Sequence, residues 1–198
     1  SWPLDADRTI NAMVEDRRGR LWLAIPREGI ALFDPADGHV QWLKADAGAG
    51  SAPDAIATSL SVDRSGLLWI GTHERGLAKV DPEGTPFQHV AEGDAAHLQT
   101  ATNYIRSIAE DADGSLWLGT EAGLKRYYPD ENRFEPHTDL FATSDRQDRP
   151  AVVHAVARAP DGTIWLGSTE GAARFDPATN ALEFVPIDGE RDHPRGGE

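Results

Sequence analysis

Ser115-Leu116-Trp117-Leu118-Gly119-Thr120 is the stretch whose reading decides the fold, because near copies of it recur three more times along the chain. They are Arg20-Leu21-Trp22-Leu23-Ala24-Ile25, Leu67-Leu68-Trp69-Ile70-Gly71-Thr72 and Thr163-Ile164-Trp165-Leu166-Gly167-Ser168. The four tryptophans are separated by 47, 48 and 48 residues. A fixed period of that size marks a stacked array of one supersecondary unit. Each copy opens with a glycine three residues before its tryptophan (Gly19, Gly66, Gly114, Gly162), preceded by a polar run. That is a turn followed by a strand. A second glycine follows (Gly29, Gly76, Gly123, Gly171), and an apolar stretch then reaches Asp34-Pro35, Asp81-Pro82 or Asp176-Pro177, with Tyr128-Pro129 in the third copy.

Around the tryptophan strand the pattern offers three further short strands per copy. The first strands fall at 11–15, 58–62, 105–110 and 152–158, the third at 30–33, 77–80, 124–127 and 172–175, and the fourth at 40–43, 87–90, 133–136 and 182–185. No window shows a long amphipathic helix. Four short strands joined by glycine turns make an antiparallel meander, and several meanders arranged radially make an all-β propeller. The expected architecture is four consecutive four-stranded blades at 8–45, 54–92, 101–139 and 150–188, forming part of one larger propeller across 1–198. Residues 1–7, with Trp2-Pro3-Leu4, read as the closing strand of a preceding blade. A strand inside a blade is covered on both faces, which explains why Leu-Trp-Leu is continuously apolar where a half-exposed strand would alternate. Burying one tryptophan removes about 150–250 Å² from water, worth at most about 4–6 kcal/mol. Trp22, Trp69, Trp117 and Trp165 are therefore expected at equivalent buried positions. Gly71, Gly119 and Gly167 follow the tryptophan by two, where a side chain would obstruct a neighbouring strand or blade.

Composition narrows the function classes. The 198 residues hold 19 Lys plus Arg against 33 Asp plus Glu, a formal net charge of −14 that opposes nucleic acid and anionic membrane surfaces. With no cysteine there is no disulfide framework and no thiolate metal site. The seven histidines never fall at metal-ligand spacing. Asp111-Ala112-Asp113-Gly114 resembles the start of a calcium loop, but Ser115 and Ala122 stand where further ligands are needed, so the reading is a tight turn. Neither a nucleophile elbow nor a phosphate-binding glycine loop is present. No cofactor is expected, and no apolar run is long enough to span a membrane.

The succession of an apolar strand with Glu-Asp-x-x-Gly, then Leu-Trp-Leu-Gly-Thr, x-x-Gly-Leu and an Asp-Pro turn resembles the two-component regulator propeller repeat. Ile108-Ala109-Glu110-Asp111 with Gly114 through Gly123 carries it best, followed by Ser61-Val62-Asp63 with Gly66 through Asp81-Pro82. The first copy departs with Ala24-Ile25-Pro26, the fourth with Ala159-Pro160. The resemblance implies a sensor propeller of a bacterial signal-transduction protein, two-component or cyclic-di-GMP. It implies an extracytoplasmic location within an inner-membrane protein, with a kinase or diguanylate cyclase elsewhere in the parent. This chain itself is expected to be non-catalytic. Its implied partners are the remaining blades or another copy, and the downstream signalling domains.

In a propeller, the link from the fourth strand to the next first strand and the turn from second to third strand open on one side, the top. The inter-blade links are long (44–55, 92–103 and 139–150), and long loops on a rigid scaffold are where recognition tends to sit. Counting eight back from each hairpin glycine gives a column at the top of the inner strands: Asn11, Thr58, Arg106 and His154. The second-to-third-strand turns add Arg27-Glu28, His73-Glu74-Arg75, Glu121 and Glu170. The candidate ligand-binding residues are thus Asn11, Thr58, His73, Glu74, Arg106, Glu121, His154 and Glu170. A ring of mixed donors and acceptors suits a small polar molecule such as a sugar. A protein-interaction scaffold is the second reading. A propeller lyase or lactonase is the third, weakened because the column contributes His154 and no carboxylate.

Overall fold

The computed structural model describes residues 8–43, 56–82, 85–90, 104–141 and 151–186. Within them lie sixteen strands in four antiparallel sheets, each with strands in sequential order. Blade 1 is β1 (Ala12–Glu15), β2 (Leu21–Ile25), β3 (Gly29–Phe33) and β4 (Val40–Leu43). Blade 2 is β5 (Ala57–Val62), β6 (Leu68–Thr72), β7 (Leu77–Asp81) and β8 (Thr85–Val90). Blade 3 is β9 (Ile105–Glu110), β10 (Leu116–Thr120), β11 (Gly123–Tyr128) and β12 (Arg133–His137), followed by one 3-10 turn (Thr138–Phe141). Blade 4 is β13 (Val153–Arg158), β14 (Ile164–Ser168), β15 (Gly171–Asp176) and β16 (Ala181–Phe184). The four meanders expected from the repeat are present. The suggested strand at 1–7 and most of each inter-blade link lie outside the described residues.

Local chemistry explains the hairpins. Gly114 sits at φ +86, a conformation open to glycine at no steric cost, and Asp111 N donates to Ser115 O at 2.8 Å to close the turn. The next tryptophan strand then pairs back on the first, Trp117 opposite Ala109 and Arg126.

The inner strands β1, β5, β9 and β13 lie side by side in chain order, and three apolar seams join the blades. Trp22 packs with Ala57, Leu68, Ile70, Ala78 and Leu60 of blade 2. Trp69 packs with Ile105, Leu116, Leu118, Tyr127 and Ile108 of blade 3, and Trp117 with Val153, Ile164, Leu166, Phe175 and Val156 of blade 4. Trp22, Trp69 and Trp117 therefore each point at the following blade, and the inner-strand aliphatics Leu60, Ile108 and Val156 at the preceding one.

This direction corrects one expectation. Trp22, Trp69 and Trp117 are 1%, 1% and 0% exposed, but Trp165 is 42% exposed. Its face has no following blade among the described residues. At the other end Met13, in register with Leu60 and Ile108, is 61% exposed.

The glycines two residues past the tryptophan obey the same logic. A Cβ on Gly71 would lie 2.2 Å from Ser59 Oγ and 2.8 Å from Ile105 Cγ2; on Gly119 it would lie 2.5 Å from Ser107 Oγ and 2.8 Å from the Val153 carbonyl oxygen. On Gly167 the nearest atom is Ala155 Cβ at an ordinary 3.5 Å. Ala24 fits in blade 1 because small residues, Ala12 across the strand pair and Ala57 in the seam, stand where Ser59 and Ile105 meet Gly71.

Candidate functional site

At the top face the structure brings part of the expected set together between blades 2 and 3. Arg106 Nε donates to Glu121 Oε1 at 2.8 Å, and its Nη2 donates to the same oxygen. The Arg106 guanidinium lies 4.4 Å from the centre of the Tyr104 ring, and the His73 ring lies tilted against Tyr104 with the centroids 4.1 Å apart. His73 Nδ1 is 3.7 Å from Glu74 Oε1. The backbone holds this arrangement: His73 N donates to Ile56 O at 2.9 Å and Glu121 N to Tyr104 O at 3.3 Å. His73, Glu74, Arg106 and Glu121 thus form a contiguous strip around Tyr104, a residue between link and first strand that the sequence analysis did not single out. Its signal was available, an aromatic two residues before the column arginine.

Two other members of the column, Asn11 and Thr58, bond to carbonyls of the next blade. Asn11 Nδ2 donates across the seam to Ala57 O at 3.1 Å. The Thr58 hydroxyl bonds to Gly71 O at 3.1 Å within its own blade and to Ile105 O of the next. Both side chains fasten one blade to its successor at the same structural position. His154 occupies that position in blade 4, exposed, and Glu170 sits half-buried in the β14–β15 turn, away from the strip. Arg8 pairs with Glu28 at 2.7 Å and covers Trp42 at the top of blade 1.

The bottom face carries a denser network. Trp69 Nε1 donates to Asp63 Oδ2 at 2.7 Å and Trp117 Nε1 to Asp111 Oδ2 at 2.9 Å. The acid six residues before each of these tryptophans is therefore the acceptor for a buried indole, as buried polar groups require. In blade 1 Asp16 accepts from Arg20 instead, and Trp22 Nε1 has no partner among the described residues. Asp111 also accepts from Arg126 Nη2 at 2.8 Å and from Arg158 Nε of blade 4 at 2.9 Å. Burial by itself would raise the Asp111 carboxyl, but the bonds from Trp117, the Ala112 amide and Arg158 hold it below the usual carboxylate range. Arg64 clasps blade 3 through Glu110 at 2.8 Å and the Ala112 carbonyl at 2.6 Å. His137 lies against Trp117 and Phe175, and burial pushes its imidazole below the ordinary histidine value. Among the described residues no three His, Asp or Glu side chains converge as a metal-ligand set.

A radial array of four-stranded antiparallel meanders, each sealed to the next by a tryptophan, defines the class: these are blades of a β-propeller. The model of the two component regulator propeller family matches residues 101–122, the stretch that carries β9 and the Trp117 strand. No curated protein matches the sequence. Among solved structures, the extracellular domain of a hybrid two-component system from B. thetaiotaomicron is similar at TM-score 0.70 and 18% identity, over 91% of this chain and 22% of that one. The extracellular domain of a one-component system from the same organism gives 0.67 and 20%, over 91% and 24%. Virginiamycin B lyase from Staphylococcus aureus gives 0.66 and 13%, over 90% and 56%. The chain spans about a quarter of the length of the two sensor domains, and at these identities the likeness is one of fold.

Proposed function

We propose that the chain is a ligand-sensing propeller segment of a bacterial signal-transduction protein, non-catalytic and extracytoplasmic, which recognises a small polar molecule such as a sugar at its top face. The observation that carries this reading is the strip of His73, Glu74, Tyr104, Arg106 and Glu121, where elements of two blades meet at one mouth. The family repeat in blade 3 and the fold shared with extracellular sensor domains support the signalling context. The exposed Trp165 face is where a further blade, of the parent protein or of another copy, docks as blades 2, 3 and 4 do on Trp22, Trp69 and Trp117. Occupancy of the strip is then passed between blades through the same seams to a downstream domain.

The scaffold reading draws on a specific observation too: Asn11 and Thr58 are engaged in joining blades, and the Arg106 fork is already held by Glu121. Calorimetric titration of a panel of mono- and oligosaccharides separates the two. A sugar that binds the native chain should bind Arg106→Ala and Tyr104→Ala about ten- to a hundredfold more weakly, the scale of a charge-assisted hydrogen bond. The bottom-turn control Asp161→Ala should bind normally. Equal affinity in all three variants removes the top-face site and leaves the scaffold.

A further inference from the structure

The bottom face holds a groove of about 620 Å³ between blades 2 and 3, walled by the β5–β6 turn, the β9–β10 turn and the β11–β12 turn. It lies on the side opposite the top-face strip, so what it binds is independent of the reading above.

The groove lacks a counter-charge that the equivalent positions of blades 3 and 4 possess. On each of β7, β11 and β15 a cation stands directly across from the blade tryptophan: Lys79 opposite Trp69, Arg126 opposite Trp117 and Arg174 opposite Trp165. In blades 3 and 4 this cation is neutralised by the acid four residues before the tryptophan, Arg126 by Asp113 at 2.8 Å and Arg174 by Asp161 at 2.9 Å. Blade 2 has Ser65 in that place. Lys79 is left with only the Trp69 ring, 5.6 Å from its ammonium, and no ion pair among the described residues. A cation in an otherwise acid-rich groove without its counter-charge is an open valence for a carboxylate.

The acids lining the groove divide sharply. Asp63 is taken by Ser65, Leu67 and Trp69, Glu110 by Arg64, and Asp113 by Ser115 and Arg126. Glu131 pairs with Arg133 at 2.7 Å. Asp130, exposed in the β11–β12 turn, pairs with nothing among the described residues. The groove thus presents one unengaged cation on blade 2 and one unengaged anion on blade 3. A purely anionic ligand would meet the surrounding carboxylates, and a purely cationic one would leave Lys79 unanswered.

We propose that this groove binds a small zwitterion of the amino-acid or short-peptide class, its carboxylate on Lys79 and its ammonium on Asp130. The ligand bridges two blades, so its binding also tightens the seam that the Arg64 clasp already spans.

The test uses diglycine and tetraglycine as probes, titrated into the full chain and followed by calorimetry and tryptophan fluorescence. Their N-acetyl and C-amide forms, each lacking one charge, are the chemical controls. Ser65→Asp restores the acid that blades 3 and 4 possess, occupying Lys79 internally without removing any core contact; Lys79→Met keeps the stem over Trp69 and removes the charge. The expected result is binding of at least one unmodified peptide, weakened about tenfold or more by either blocked terminus, by Ser65→Asp, by Lys79→Met and by Asp130→Asn. The melting temperature of Ser65→Asp should be unchanged or raised. Absence of binding by both peptides, or equal affinity in native and Ser65→Asp chains, overturns the assignment.

Discussion

Asp111→Ala is the perturbation that most directly probes how the blades are joined. The carboxylate, on a residue 7% exposed, accepts from the Trp117 indole, the Ala112 amide, Arg126 of its own blade and Arg158 of the next. Removing it strands the indole N–H, which is enclosed, at about 1–3 kcal/mol. Arg126 retains Asp113 and Ser115, and Arg158 keeps 28% side-chain exposure, so each lost ion pair adds only about 0.5–1 kcal/mol. The total is about 2–5 kcal/mol. Asp16→Ala is the internal comparison: the Trp22 indole is already without a partner among the described residues, so its cost should be smaller by the indole contribution. Urea unfolding followed by both tryptophan fluorescence and circular dichroism measures the difference, and a cycle with Arg158→Ala isolates the cross-blade pair. Because the folded-state value of Asp111 is depressed, its contribution is present above about pH 3.9 and lost as pH falls through the folded value. The acid limb of the stability curve should flatten in the variant. A cost under about 1 kcal/mol for Asp111→Ala, or one equal to Asp16→Ala, would refute the account of the indole–carboxylate bond as a structural requirement.

Two further outcomes follow from the same seams. Gly119→Ala should destabilise by about 1–3 kcal/mol through overpacking against the Val153 carbonyl, while Gly167→Ala, with nothing nearer than 3.5 Å, should be neutral or slightly stabilising; paired thermal melts decide between a steric and a merely conformational role for this glycine. His137 is held neutral chiefly by burial, with Arg126 adding to the effect and Glu135 opposing it. The unfolded chain therefore takes up a proton below about pH 6.5 that the folded chain refuses, and stability should fall by at most about 1.4 kcal/mol per pH unit as pH drops below that value. His137→Phe should remove this slope below about pH 6.5, and an unchanged slope would assign it to other groups.

Much of the fold was legible because a blade is a local object. The hairpin glycines, the continuous Leu-Trp-Leu and the spacing of 47–48 residues depend on neighbours close in sequence, and they placed all sixteen strands to within a few residues. The class of the molecule followed from the same pattern. What an individual repeat position does depends instead on the blade beside it, and that is a fact of stacking. Trp165 sits in a closely similar local sequence to Trp117 yet is exposed, because burial of a tryptophan here is supplied by the following blade. Asn11 and Thr58 looked like ligand-facing column residues, but their reach across the seam to a carbonyl of the next blade, 46 and 47 residues on, exists only once two sheets are set face to face. Arg106 and His73 became neighbours through Tyr104 for the same reason. The unanswered charge of Lys79 was written in the Asp-to-Ser change at position 65, but only the cross-strand register that sets Lys79, Arg126 and Arg174 over their tryptophans made that change readable. Periodic sequence determines the repeated unit, whereas the identity of each contact between units is decided by tertiary packing, since it joins side chains that no local pattern brings together.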